Sequence, residues 1–175
     1  MREKAVSPVI GVLLMLTLTL IIAAIVNSYA GGLMTTESKA PSLTLQVSYS
    51  ITNGMQIRHI SGDPLPTESV KLMVRPSDTM GKPAPQFPTV VNKSLITNLT
   101  GTQSWTSGIT SLKPGEINYI LNTSSSGNLS HLQENIPESQ KQYWFNQSSN
   151  IGNTFFLEIY YKNTMISKNE VLIEG

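Results

Sequence analysis

From Val9 to Ala30 the chain reads VIGVLLMLTLTLIIAAIVNSYA, and no charged residue occurs between Ala5 and Thr36. The apolar positions fall on every side of a 3.6-residue repeat instead of along one stripe, the pattern of a helix surrounded by lipid or by other helices. At about 1.5 Å per residue the run predicts a helix roughly 33 Å long, enough for a bilayer core of about 30 Å. Ser7 and Pro8 suit N-cap and first-turn positions, and Gly31-Gly32 suits a stop. Burying its aliphatic side chains is worth on the order of 20–40 kcal/mol as an upper bound. The polar remainder of the chain cannot hide that much surface, so lipid or neighbouring helices must solvate it.

Beyond a linker at 33–40 the period changes to two. SLTLQVSYSIT puts Leu43, Leu45, Val47, Tyr49 and Ile51 on one face and Thr44, Gln46, Ser48 and Ser50 on the other, the pattern of a half-buried strand. Asn53-Gly54 signals a hairpin, with Met55 to Ile60 as the return strand. After Gly62-Asp63-Pro64, Val70, Leu72 and Val74 alternate inward again. Four prolines and Gly81 between Pro76 and Pro88 predict a long surface loop. Further short strands are expected at Ser104–Ile109, Glu116–Leu121, Thr154–Lys162 and Met165–Ile173, with Lys113-Pro114-Gly115 as a turn. His131 to Phe145 reads either as a short helix interrupted by Pro137 or as an irregular flap. The expected fold is α+β: a long hydrophobic N-terminal helix at 6–32, then an all-β head at 41–175, a β-sandwich in a loosely immunoglobulin-like sense.

Composition narrows the function. The chain has 175 residues, 13% of them charged, with a formal net charge of +1 and no cysteine. This lacks the electrostatic footprint of a nucleic-acid binder, and the lack of cysteine excludes disulfides, thiolate zinc sites and a cysteine nucleophile. No G-x-S-x-G, H-E-x-x-H, phosphate loop or dinucleotide fingerprint occurs. His59 and His131 are the only histidines, and Asp63 and Asp78 the only aspartates. No enzyme and no cofactor are expected. Trp105, Trp144, Phe145 and the Tyr160-Tyr161 pair could form a binding surface, but aromatics in a β-domain more often serve core or subunit contact.

Two simple readings of the N-terminus compete with a third. Met1 to Lys4 followed by the apolar run and Ser28-Tyr29-Ala30 fits a secretory signal, although the run exceeds the usual 7–15 residues. An uncleaved anchor is the other, with Glu3 between Arg2 and Lys4 weakening its positive flank. The third rests on Lys4-Ala5-Val6-Ser7 followed by Pro8-Val9-Ile10-Gly11 at the head of the apolar block. This segment resembles the N-terminus of the archaeal type IV pilin family. The resemblance implies a leader at 1–5, cut by a membrane prepilin peptidase between Ala5 and Val6 with Lys4 just before the cut. The helix then stays in the mature protein. Bacterial pilins carry a glutamate where Ile10 stands here, which leaves a charge-free helix whose packing comes from shape.

In that reading Pro8, Ile10, Gly11, Leu14, Leu18, Ile21, Ile22 and Ile25 form the assembly surface, and Thr17, Thr19, Ala23 and Ala24 allow close approach. The expected partners are further copies of the chain, the membrane before assembly, and the peptidase and assembly ATPase with its platform that the resemblance implies. The expected product is an extracellular adhesion filament. Alternatives are an archaellin-type motility filament and an anchored surface protein that does not polymerise.

IRHISGDPLPTESVKLMV also resembles a segment of archaeal pilin heads, with His59, Gly62 and Asp63 in a turn-and-packing role. Finally, Asn92, Asn98, Asn122, Asn128 and Asn146 each begin an N-glycosylation acceptor pattern, which suggests an exposed outer face carrying glycans.

Overall fold

In the computed structural model the described residues are 6–32, 39–82, 88–121, 132–133 and 136–175. The chain divides into two compact units, 1–39 and 40–175. The first holds a single helix, α1 (Val6–Gly32). It begins one residue before Ser7, so Ser7 and Pro8 lie in the first turn and Ser7 is not the cap. Proline is tolerated there because first-turn N–H groups have no helical partner. The helix closes at the expected glycine pair.

The second unit contains β1 (Leu43–Ser50), β2 (Gly54–Gly62), β3 (Leu65–Pro66), β4 (Val70–Pro76), β5 (Thr89–Val90), β6 (Ser111–Leu112), β7 (Ile117–Ile120), β8 (Thr154–Tyr161) and β9 (Thr164–Glu174). Seven of them form one sheet in the order β5-β4-β8-β9-β1-β2-β7, and β3 pairs with β6 as a ribbon. The α+β class and the long helix followed by a β head agree with expectation. The pairing differs from two separate facing sheets. β9 runs antiparallel to β8 from Thr164 to Leu172, then sets Ile173 and Glu174 parallel to Tyr49 and Ser50 of β1. The Ile51 N–H donates to the Glu174 carbonyl at 2.9 Å, and Ser50 Oγ to the Gly175 carbonyl at 3.0 Å. This junction fuses two antiparallel ladders into one curled sheet.

One hydrophobic cluster fills the concave side. It combines Leu45, Tyr49, Met55 and Ile57 from the β1–β2 hairpin with Leu72, Val74, Phe155, Leu157, Ile159, Val171 and Ile173 from β4, β8 and β9. Tyr49 meets Phe155 edge-on at 5.5 Å, and Phe145 stacks on Phe155 at 4.1 Å. Such aromatic pairs add about 0.5–1.5 kcal/mol beyond area burial. The β1–β2 hairpin turns through Ile51–Asn53, with Gly54 at φ +84° as the first residue of β2. This is a three-residue loop that ends on a left-handed glycine.

Two local expectations need correction. Ser104–Ile109 is not a strand: the Ser104 and Ser107 backbones bond each other at 2.8 and 3.0 Å, and Gly108 has φ +96°. The segment is a tight bend that drives Trp105 into the core. The proline-rich stretch is also more than a loop. Pro76 ends β4 opposite Phe155, and Ser77 Oγ accepts from the Thr79 N–H to cap a short helical turn at Asp78–Met80. After 83–87, which lie outside the described residues, the chain returns as edge strand β5. In the ambiguous 131–145 region, Glu138–Tyr143 forms two short 3-10 turns merged at Gln140, while His131 lies outside the described residues.

Candidate functional site

Every described side chain from Pro8 to Tyr29 is exposed, including Met15 at 74% and Leu20 at 67%. Helix geometry makes the reason plain: with apolar residues all round, no rotation of the helix hides them behind a polar face. The two threonine hydroxyls in mid-helix bond to the helix's own backbone. The Thr17 hydroxyl donates to the Leu14 carbonyl and the Thr19 hydroxyl to the Leu16 carbonyl, each at 2.9 Å.

Gly11 opens a shallow groove on this surface, lined by Leu14, Met15, Thr17, Leu18 and Ile21. A Cβ at position 11 would meet nothing within 4 Å. Four of the expected assembly residues, Gly11, Leu14, Leu18 and Ile21, therefore line one groove. Pro8, Ile10, Ile22 and Ile25 also lie on the exposed helix. Lys4 and Ala5, the expected cleavage residues, lie outside the described residues, and Val6 is the first residue of α1.

In the head, His59, Gly62 and Asp63 form a neck where the chain enters β1. His59 is fully buried on β2, its Nδ1 3.0 Å from the Leu112 carbonyl and its Nε2 3.1 Å from the Ser61 carbonyl. Asp63 binds the backbone of Ser42. Both ring nitrogens of His59 thus face backbone carbonyls and one carboxylate oxygen of Asp63 is held by the Ser42 N–H, the arrangement of a turn tied to its neighbours. Among the described residues no three His, Asp or Glu side chains gather into a metal-binding group.

Two polar clefts, each about 370 Å³, flank the bend at Ser104–Thr110. Two of their charged side chains are held by backbone. Glu116 Oε2 accepts from the Lys113 N–H at 2.8 Å, and Lys93 Nζ donates to the Thr67 and Glu68 carbonyls at 3.0 Å.

The convex side of β4, β8 and β9 carries a charge cluster that the strand alternation alone does not announce. Glu158 is 4% exposed and faces Arg75 Nε at 3.3 Å, Lys168 Nζ at 3.9 Å and the Tyr160 hydroxyl at 3.1 Å. Lys168 also lies 4.1 Å above the Phe156 ring. Desolvation raises the Tyr160 hydroxyl above its ordinary value, helped by its bond to the Glu158 carboxylate. Cross-strand register explains the cluster, since Glu158 pairs with Met73 and Lys168, and Arg75 and Tyr160 lie two residues along their strands from Met73 and Glu158, on the same face. Of the aromatics singled out in the sequence, Trp105, Phe145 and Tyr161 are core, while Trp144 and Tyr160 are half-buried.

Comparison with known proteins bears on the helix and its continuation. Residues 4–45 match the family model described as archaeal type IV pilin, N-terminal. An uncharacterised protein of Archaeoglobus fulgidus is 42% identical over 76 residues, which is 42% of this chain and 54% of that protein. The chain thus matches about half the length of that curated relative. No solved structure matches.

Proposed function

We propose, for a chain whose residues 4–45 match the N-terminal model of archaeal type IV pilins, that it is the structural subunit of an archaeal type IV-like pilus. The precursor sits in the membrane through α1. A prepilin peptidase cuts between Ala5 and Val6, and an assembly ATPase with its platform moves the subunits into an extracellular filament that adheres to surfaces. The observation that carries this reading is the 22-residue apolar surface from Pro8 to Tyr29, exposed over its whole length.

The physical sequence is economical. In the membrane lipid solvates the helix, and in the filament other helices do, so its side chains stay out of water throughout. Lipid tails are as apolar as leucine, so helix association must draw on close packing, and the Gly11 groove with the threonine methyls supplies the shape for it. Cleavage removes Arg2, Glu3 and Lys4, charges that would be costly to bury along a helical bundle. Two of the twelve basic and one of the eleven acidic side chains go with them, leaving ten of each. That balance limits long-range repulsion between crowded heads.

The test is the N-terminus of the protein sheared from cells, read by mass spectrometry and followed by electron microscopy of the same material. A start at Val6 in filaments is expected. A start at Gly31 would mean a secretory signal was lost and a helix-free domain released, and an intact Met1 would leave a plain anchor.

A further inference from the structure

Asn92 and Asn98 begin two N-glycosylation acceptor patterns six residues apart, and the fold uses their amides in opposite ways. Asn92 is exposed and caps the short turn Lys93–Leu95. Its Oδ1 accepts from the Ser94 backbone N–H at 3.0 Å and from the Ser94 hydroxyl at 2.8 Å. Its Nδ2 makes no hydrogen bond among the described residues. The backbone beneath is fixed, since the Val91 N–H donates to the Leu72 carbonyl at 2.9 Å.

Asn98 is half-buried and organises its own loop. Its Oδ1 accepts from the Thr100 hydroxyl and from the Thr102 and Gln103 N–H groups, and its Nδ2 donates to Thr102 Oγ1 at 3.2 Å. The third described acceptor, Asn146, is half-buried with its Oδ1 enclosed and without a partner.

We infer that Asn92 is the acceptor of an N-linked sugar on this head and that Asn98 and Asn146 are left bare. N-glycosylation consumes the amide nitrogen, and among the three described acceptors only Asn92 combines an exposed residue with an Nδ2 that makes no hydrogen bond; Asn122 and Asn128 lie outside the described residues. Nδ2 bonds to the anomeric carbon of a sugar and one amide hydrogen leaves as a proton. The bond from that carbon to the phosphate of a lipid-linked sugar donor breaks, and the phosphate keeps the electron pair. The position has a physical use. Asn92 lies two residues beyond Val90, which is 43% exposed on β5, and β5 ends the seven-stranded sheet, with β4 its only ladder partner among the described residues. A polar, bulky group beside an open strand edge blocks edge-to-edge pairing. The inference rests on the proposed function only in that the head must reach the outer side of the membrane.

Glycopeptide mapping by electron-transfer fragmentation, on protein isolated from the cells that make it, tests this. Sugar mass is expected on the peptide containing Asn92 and none on those containing Asn98 and Asn146. Asn92→Asp should abolish the modification at that site while keeping an oxygen to accept both Ser94 bonds, so the fold and its unfolding midpoint stay unchanged. Asn98→Asp should leave the sugar at Asn92 in place. A bare Asn92, whether the other acceptors carry sugar or the whole chain is unmodified, overturns the inference. Filaments starting at Val6 with a bare Asn92 would leave the pilus reading standing. A glycosylated Asn92 on an uncleaved chain would do the reverse.

Discussion

Ser42 and Asp63 hold each other twice: Asp63 Oδ2 accepts from the Ser42 backbone N–H at 3.0 Å, and the Ser42 carbonyl accepts from the Asp63 N–H at 2.8 Å. This clasp fastens the residue that leads into β1 to the residue that leaves β2. It is possible only because Gly62, at φ +109°, brings the two backbones into contact.

Gly62→Ala tests that closeness. A Cβ there would stand 2.3 Å from the Ser42 carbonyl oxygen and 2.6 Å from Leu43 Cα, against backbone that cannot move aside like a side chain. With the positive φ added, the loss of stability should be at least about 2–3 kcal/mol. Asp63→Ala, which removes only the exposed half of the clasp, should cost about 0.5–1.5 kcal/mol. Urea unfolding of the detergent-solubilised chain measures both. A Gly62→Ala midpoint equal to the parent would refute the role given to this turn.

Trp105 and Asn118 form a buried side chain to side chain hydrogen bond, indole N–H to Oδ1 at 2.6 Å. Asn118→Leu would strand the indole donor in the core at a cost of about 1–3 kcal/mol. Trp105→Phe combined with Asn118→Leu removes both partners and should cost less than the sum of the single changes. Chemical denaturation of the four proteins gives the coupling directly, and additivity would show that the bond contributes nothing specific.

These sites differ in how far the sequence announced them. The helix was legible to within a residue or so because a run with no charge and no polar face has one solution. The alternations around Leu45 and Leu72 placed β1 and β4 with the correct inward side, since a half-buried strand repeats every two residues. Strand partnership was not legible. Only two residue pairs, Tyr49–Ile173 and Ser50–Glu174, decide that the ladders fuse, and nothing local to either end of the chain encodes that distant meeting. Ser104–Ile109 misled because Trp105 and Ile109 mimic strand spacing, while Gly108 and reciprocal backbone bonds close a bend instead. The turn role of His59, Gly62 and Asp63 was readable from G-D-P. That both ring nitrogens of His59 would face carbonyls was not, because one of them, Leu112, comes from 53 residues away.

Alkaline conditions should weaken the head through Tyr49. Burial pushes its hydroxyl up from 10 to about 12, and the ring is 4% exposed between Phe145 and Phe155. Below pH 10 both folded and unfolded chains hold the proton, so the full stability is present. From pH 10 upward the unfolded chain releases it first, and stability falls by about 1.4 kcal/mol per pH unit until the folded form ionises near pH 12, a loss of about 2–3 kcal/mol. Tyr49→Phe should remove this limb of the profile while changing stability at pH 7 by less than about 1 kcal/mol. Denaturation between pH 8 and 12 compares the two proteins, and parallel profiles would assign the alkaline loss to other groups.

Gly11→Leu separates folding from assembly. Position 11 has open space where a Cβ would stand, so a leucine there strains nothing within the subunit, and in detergent its helix content and head stability should match the parent. In a filament the same side chain fills the groove between Leu14, Met15, Thr17, Leu18 and Ile21, into which a neighbouring helix would set its own residues. Close approach of helix backbones depends on small residues because dispersion contacts fade within an ångström of added distance. A loss of only about 1.4 kcal/mol per contact lowers the association constant tenfold, and a polymer repeats the contact at every subunit. Sheared filament yield should therefore fall at least about tenfold for Gly11→Leu and much less for Gly11→Ala. Unchanged yield with leucine would exclude the Gly11 groove from the subunit contact and move the packing surface to another side of the helix.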